Sequence, residues 1–115
     1  MIAVIFEVTL AEGGRDGYLA WAARLAEHLR SMDGFVSIER YQSLSQPDKL
    51  LSLSFWRDEA ALAAWRNLAT HREAQAAGRG GLFAGYRLRV AAVLRDYGLD
   101  EREAAPADSR AAHSA

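Results

Sequence analysis

A chain of 115 residues, half of them hydrophobic, a quarter charged and none cysteine, has the size and composition of one globular domain. A formal net charge of −1 with no basic run argues against nucleic acid or an anionic membrane as partner. The missing cysteines exclude disulfides, thiolate metal sites and thiol nucleophiles, and at this length roughly two-thirds of the unfolded surface can be buried without such staples.

The opening Met1-Ile2-Ala3-Val4-Ile5-Phe6-Glu7 lacks the cationic start and cleavage site of a secretion signal, and no apolar run approaches the ~20 residues of a membrane helix. A cytoplasmic location is the expectation. Arginine outnumbers lysine thirteen to one, a usage that hints at GC-rich bacterial coding. Residues 2–10 alternate, with Ile2, Val4, Phe6, Val8 and Leu10 on one side, which predicts a strand. Gly13, Gly14 and Gly17 mark a turn, and Asp16 is placed as a helix N-cap. From Tyr18 to about Met32 the period becomes helical, with Tyr18, Trp21, Leu25, Leu29 and Met32 on one stripe, and Asp33-Gly34 ends it. Two strands are expected over 35–44 and 49–57, joined through a turn at Pro47-Asp48. Asp58 caps a second helix bearing Leu62, Trp65 and Ala69, and Gly78, Gly80 and Gly81 interrupt that helical region. A last strand is read over 85–97, and beyond Leu99 the chain has no period and reads as a solvated tail.

Strand, helix, strand, strand, helix, strand is the order of the α+β ferredoxin-like sandwich, an antiparallel sheet with both helices on one face. Residues 1–98 would form that domain and 99–115 the tail. Phe6, Val8, Ile38, Leu53, Phe55, Val90 and Leu94 are assigned to the helix-covered face. Ile5, Glu7, Glu39, Tyr41, Trp56, Arg87, Arg89 and Val93 would then lie on the open one. That open face mixes large apolar groups with charges, so a second copy of the chain is expected to cover it, with Glu7, Tyr41, Trp56, Arg87 and Arg89 at the homodimer interface.

The run Ser54-Phe55-Trp56-Arg57-Asp58-Glu59-Ala60-Ala61-Leu62, followed by Trp65, His71, Arg72, Gln75, Phe83, Tyr86-Arg87-Leu88-Arg89-Val90 and Arg95-Asp96-Tyr97-Gly98, resembles the antibiotic biosynthesis monooxygenase family. Glu7-Val8-Thr9-Leu10 and Met32-Asp33-Gly34-Phe35 resemble it too, so that the likeness spans roughly residues 2–98. It implies a dimeric α/β barrel and, for the enzymatic members, oxidation of an electron-rich aromatic or quinone-type metabolite by O2 without flavin or metal. Such a site needs an apolar pocket, a stacking aromatic and one titratable group. In the haem-degrading branch the first-strand asparagine position is Val8 here and the haem-ligand position falls near Gln75, which disfavours haem degradation. In the anthrone-oxidising branch the asparagine and tyrosine positions hold Ser52 and Leu62, which counts against that particular substrate class too.

Three histidines are present, and none has a metal-ligand spacing, so no metal is expected. His113 lies in the tail and His28 at the edge of the first helix's apolar stripe. His71 is the candidate general base, because imidazole titrates near neutrality, set against the plainer role of a helix histidine bonded to backbone or partner. Trp65, Trp21, Asn67 and Phe6 are the candidate substrate-binding residues, although large aromatics on buried stripes more often serve the core. The leading reading is a cofactor-free monooxygenase. The alternative is a non-catalytic dimeric module that binds a small aromatic ligand in the same fold.

Overall fold

The computed structural model describes residues 1–68, 72, 73, 75, 76 and 78–113. In chain order they form β1 (Ile2–Leu10), α1 (Arg15–Ser31), β2 (Phe35–Gln42), β3 (Lys49–Trp56), α2 (Glu59–Arg66), β4 (Phe83–Ala92) and α3 (Ala107–His113), with a wide helical turn over Gly78–Leu82. The sheet runs β2-β3-β1-β4 and every neighbouring pair is antiparallel. This is the ferredoxin-like α+β arrangement expected from the sequence. Among the described residues no helix is long and apolar enough to cross a membrane.

The core lies between the sheet and the two helices. Leu25 and Leu29 of α1 and Ala61 and Trp65 of α2 close over Val4 and Trp56, while Tyr18 packs with Val8, Leu10 and Leu50. Helix α1 has Gly14 as its N-cap, two residues earlier than the predicted Asp16, and no side chain caps it. Asp16 therefore falls inside the first turn, where its charge still complements the helix dipole. The reason lies in a backbone crossing. Ala11 N–H donates to the Leu82 carbonyl (3.0 Å), and a Cβ at Gly14 would run into that oxygen. Asp58 caps α2 as expected, its Oδ1 accepting from Ala61 N–H at 2.9 Å.

The end of α1 is tied to the start of α2. Arg57 donates to both oxygens of Asp33 (3.1 and 3.0 Å) and to Asp58 (3.1 Å), and its backbone N–H donates to the Gly34 carbonyl (2.7 Å). Its guanidinium holds the Asp33 carboxyl below the usual carboxylate range, and the Asp58 carboxyl is lowered first by the Ala61 N–H and then by Arg57. Gly34 sits at φ +84°, and a Cβ there would lie 2.6 Å from the Ala61 Cβ. Gly34→Ala is therefore expected to destabilise by about 2–4 kcal/mol, from left-handed backbone and overlap together. Gly13, at φ +77° with open space around it, should cost only the backbone share when changed to Ala. Thermal melts of the two variants check the difference.

Three expectations are corrected. On β3 it is Leu50, Ser52, Ser54 and Trp56 that face the helices, whereas Leu51, Leu53 and Phe55 face away. Trp56 is thus no part of the open face: it is 1% exposed, and its indole N–H donates to Ser54 Oγ at 3.0 Å. Both faces of this strand carry apolar groups, and the two serines made the true inner face look like the outer one. Strand β4 also stops at Ala92, not at residue 97, because its partner runs out. Ile2 pairs with Ala92, and Val93 N–H reaches only the carbonyl of Met1. Leu94 is accordingly exposed rather than covered. The tail is not featureless, since 107–113 are helical and Ala105 is buried.

Candidate functional site

The strand register sets out the floor of a cavity. One row across the sheet reads Arg40, Ser52, Phe6, Leu88 and the next Ile38, Ser54, Val4, Val90. Side chains alternate along a strand, so both rows point toward the helices. At the two central β3 positions of these rows a serine stands where leucine or valine would fill the core. The two serines border a cavity of about 370 Å³. Tyr18, Trp21 and Leu25 of α1 and Leu62 and Trp65 of α2 lie across it, with Leu82, Phe83 and Tyr86 also lining it. Phe6 meets Phe83 edge-on at 5.9 Å and Tyr86 at 5.6 Å, and Tyr18 meets Phe83 at 5.9 Å. These tilted contacts fix the ring positions without a flexible side chain.

Of the predicted site residues, Phe6, Trp21 and Trp65 come together around the cavity. Asn67 does not join the lining. It is exposed at the end of α2, its amide donating to the Ala63 carbonyl (2.9 Å) and accepting from Arg72 (2.6 Å). His71 lies outside the described residues. Val8, at one of the family's haem-branch positions, is fully buried in the core.

The polar part of the lining is cationic and neutral. Arg40, Arg66 and Arg72 contribute guanidiniums and Ser52, Ser54 and Gln75 neutral groups, and among the described lining residues there is no Asp, Glu or His. Arg72 is engaged by Asn67 and Gln75 (2.6 and 3.2 Å). Arg40 is partly buried and makes one long bond, Nε to Tyr18 Oη at 3.4 Å. Its two terminal nitrogens bond to no other described residue. Ser54 is occupied by Trp56, whereas the Ser52 hydroxyl has no described side-chain partner. Sequence reasoning missed Arg40. The available signal was its spacing from Ile38, which puts it on the covered face by alternation alone.

On the other side of the sheet, Glu7, Tyr41, Arg87 and Arg89 share the face that α1 and α2 leave open, with Ile5, Leu51, Leu53 and Phe55 between them. Arg89 donates to Glu7 at 3.3 Å, and Glu7 stands opposite Arg87 in the register. Tyr41 donates to Glu39 at 3.0 Å, a bond that pushes the phenol above its ordinary value.

The model of the family described as antibiotic biosynthesis monooxygenase matches residues 1–77. Over 93 residues, 81% of the chain, the sequence is 50% identical to a protein of Pyricularia oryzae named "Jasmonate monooxygenase ABM". The match takes in 43% of that protein, so the chain spans less than half the length of this relative. Among solved structures, Rv0793 from Mycobacterium tuberculosis superposes with a TM-score of 0.75 at 22% identity, over 84% of this chain and 98% of that one. PA3566 from Pseudomonas aeruginosa gives 0.70 at 19% identity, over 81% and 93%. At such identities the likeness to these structures is one of fold.

Proposed function

The chain belongs to the antibiotic biosynthesis monooxygenase family, and from that premise we propose that it is a monooxygenase whose substrate is a small, largely apolar ring metabolite held between sheet and helices. The carrying observation is the cavity itself. Its volume, about 370 Å³, falls within the range of small-molecule sites, and its walls are aromatic and aliphatic with a few polar groups. The Pyricularia relative, whose name gives jasmonate as substrate, supports an oxygenase acting on a compact ring compound with an ionisable group.

The chemistry needs only substrate and O2. A base removes a proton from an activated methylene or a phenol, and the resulting enolate or phenolate reduces O2 to a carbon-bound hydroperoxide. Loss of water then leaves a carbonyl. One oxygen atom enters the product, the other leaves as water, and the substrate supplies all the electrons. We assign the proton transfer to His71 on chemical grounds, and the lining arginines would favour the anion that the transfer creates. Oxygen uptake with anthrones, hydroxynaphthalenes, hydroquinones and jasmonic acid, with ¹⁸O2 labelling of the product, tests this reading. Stoichiometric binding with no uptake across the panel would favour the ligand-binding module instead.

The same reading makes the working unit a homodimer joined through the open sheet face. Ile5, Leu51, Leu53 and Phe55 form an apolar surface there, interrupted by the Glu7–Arg89 pair. Light scattering after size exclusion at micromolar concentration should give twice the chain mass, and Leu53→Glu should give the monomer. A monomeric wild type would remove the interface.

A further inference from the structure

We propose that Arg40 anchors a carboxylate at one end of the ligand, so that the substrate is an apolar acid bound as its anion. This rests on reading the cavity as the substrate site, and it adds which end of the ligand is recognised and by which side chain. The observation behind it is an imbalance of charge. Three guanidiniums line the cavity and no described acidic side chain joins them. An unpaired cation held away from water is costly, and the cost is offset when an anion arrives with the ligand.

Among the three, Arg40 is set apart by its place. Arg72 is bonded to Asn67 and Gln75, and Arg66 is exposed on α2. Arg40 rises from the sheet floor, partly buried and directly opposite Ser52 in the β2–β3 register. The acid next to it in sequence, Glu39, faces the other side of the sheet and is bonded by Tyr41. With Nε turned to Tyr18, both terminal nitrogens remain for a planar two-oxygen acceptor, the geometry in which guanidinium and carboxylate match. The Ser52 hydroxyl stands beside that position and can donate to the same group. From there the apolar rows through Phe6, Val4 and Leu88 run away from Arg40, so the ring would lie toward β1 and β4 with the charge toward β2.

The test uses pairs of compounds that differ only in charge: naphthalene-1-acetic acid and its methyl ester, and jasmonic acid and its methyl ester. Binding is followed by quenching of tryptophan fluorescence, which Trp21 and Trp65 report from the cavity walls, and by calorimetry. Wild type should prefer each acid over its ester by roughly 10- to 150-fold, the range that a charged hydrogen-bonded contact supplies. Arg40→Gln should abolish the preference by weakening the acid while leaving the ester within about threefold, and Arg40→Lys should restore part of it. An unchanged melting temperature shows that the variants are folded. Equal binding of acid and ester to wild type, failure of both acids to bind, or equal weakening of both by Arg40→Gln would each overturn the proposal. Oxygen uptake confined to neutral substrates would also overturn it while leaving the monooxygenase reading intact.

Discussion

Trp56→Ala is expected to lower the melting temperature by roughly 10–20 °C, the largest stability effect of any single side chain described here. Truncating a buried tryptophan costs about 3–5 kcal/mol, and in a domain of this size each kcal/mol shifts the midpoint by roughly 4 °C. Trp56 has the attributes that place it at the upper end. It is 1% exposed, lies at 6.1 Å and 29° over Trp65, meets Phe35 edge-on at 5.4 Å and satisfies its only donor on Ser54. Removing it strips a partner from α2 and from the start of β2 at once. Trp56→Phe keeps the ring stack but loses the indole N–H and some volume, and should cost only about 1–2 kcal/mol. Because Trp56 is not among the residues lining the cavity, neither change should alter the acid-over-ester preference of protein that remains folded. Calorimetric melts of the three proteins give the comparison, and a drop of only a few degrees for Trp56→Ala would show that the helix layer closes over the gap.

The largest effect on activity is expected at His71. A positioned general base contributes typically 10²–10⁴-fold, so His71→Ala should lower oxygen uptake by about that factor. The decisive pairing is turnover with melting temperature. A fall in turnover at an unchanged midpoint assigns the proton transfer to His71, whereas equal uptake by both proteins removes it from the mechanism. Trp65→Ala is a poor substitute for this experiment. Trp65 is 7% exposed, stacks on Trp56 and lines the cavity, so stability and binding would fall together.

The fold was legible because its signals were periodic and redundant. Alternation along β1, the stripe from Tyr18 to Leu29 and the Asp58 cap each pointed to the element that formed. The phase of β3 was not legible, for a physical reason. Leu51, Leu53 and Phe55 are the more hydrophobic set, but they fall on the face that the helices do not cover. Ser52 and Ser54 sit inward and border the cavity, and a rule that puts the most apolar residues inward does not anticipate them there. The same inversion misplaced Trp56. The ends of elements depended on partners that local sequence does not announce: Leu82 O decided where α1 begins, and Met1 decided where β4 stops. At the site, Trp21 and Trp65 were readable from helical spacing and Phe6 from strand alternation, whereas Phe83 and Tyr86 were not singled out as lining. Arg40 was hidden by the habit of assigning arginine to solvent.

The two inward serines have a consequence for how this protein can diversify. Their backbones are locked on both sides by the ladders to β1 and β2, so exchanging either side chain changes the depth of the cavity without moving the strand that carries it. Alanine, serine, threonine and valine at these positions would form a graded series, each step trading void for packing. The central strand then behaves as a ruler with two adjustable marks, one beside the charged end of the row and one beside Ile38 and Val4. Descendants of one scaffold could reach ligands of different length through single codon changes at residues 52 and 54. At residue 52 the burial gained would offset the hydroxyl lost, whereas at residue 54 alanine or valine would also take the acceptor from the Trp56 indole N–H, so threonine is the exchange there that keeps the bond.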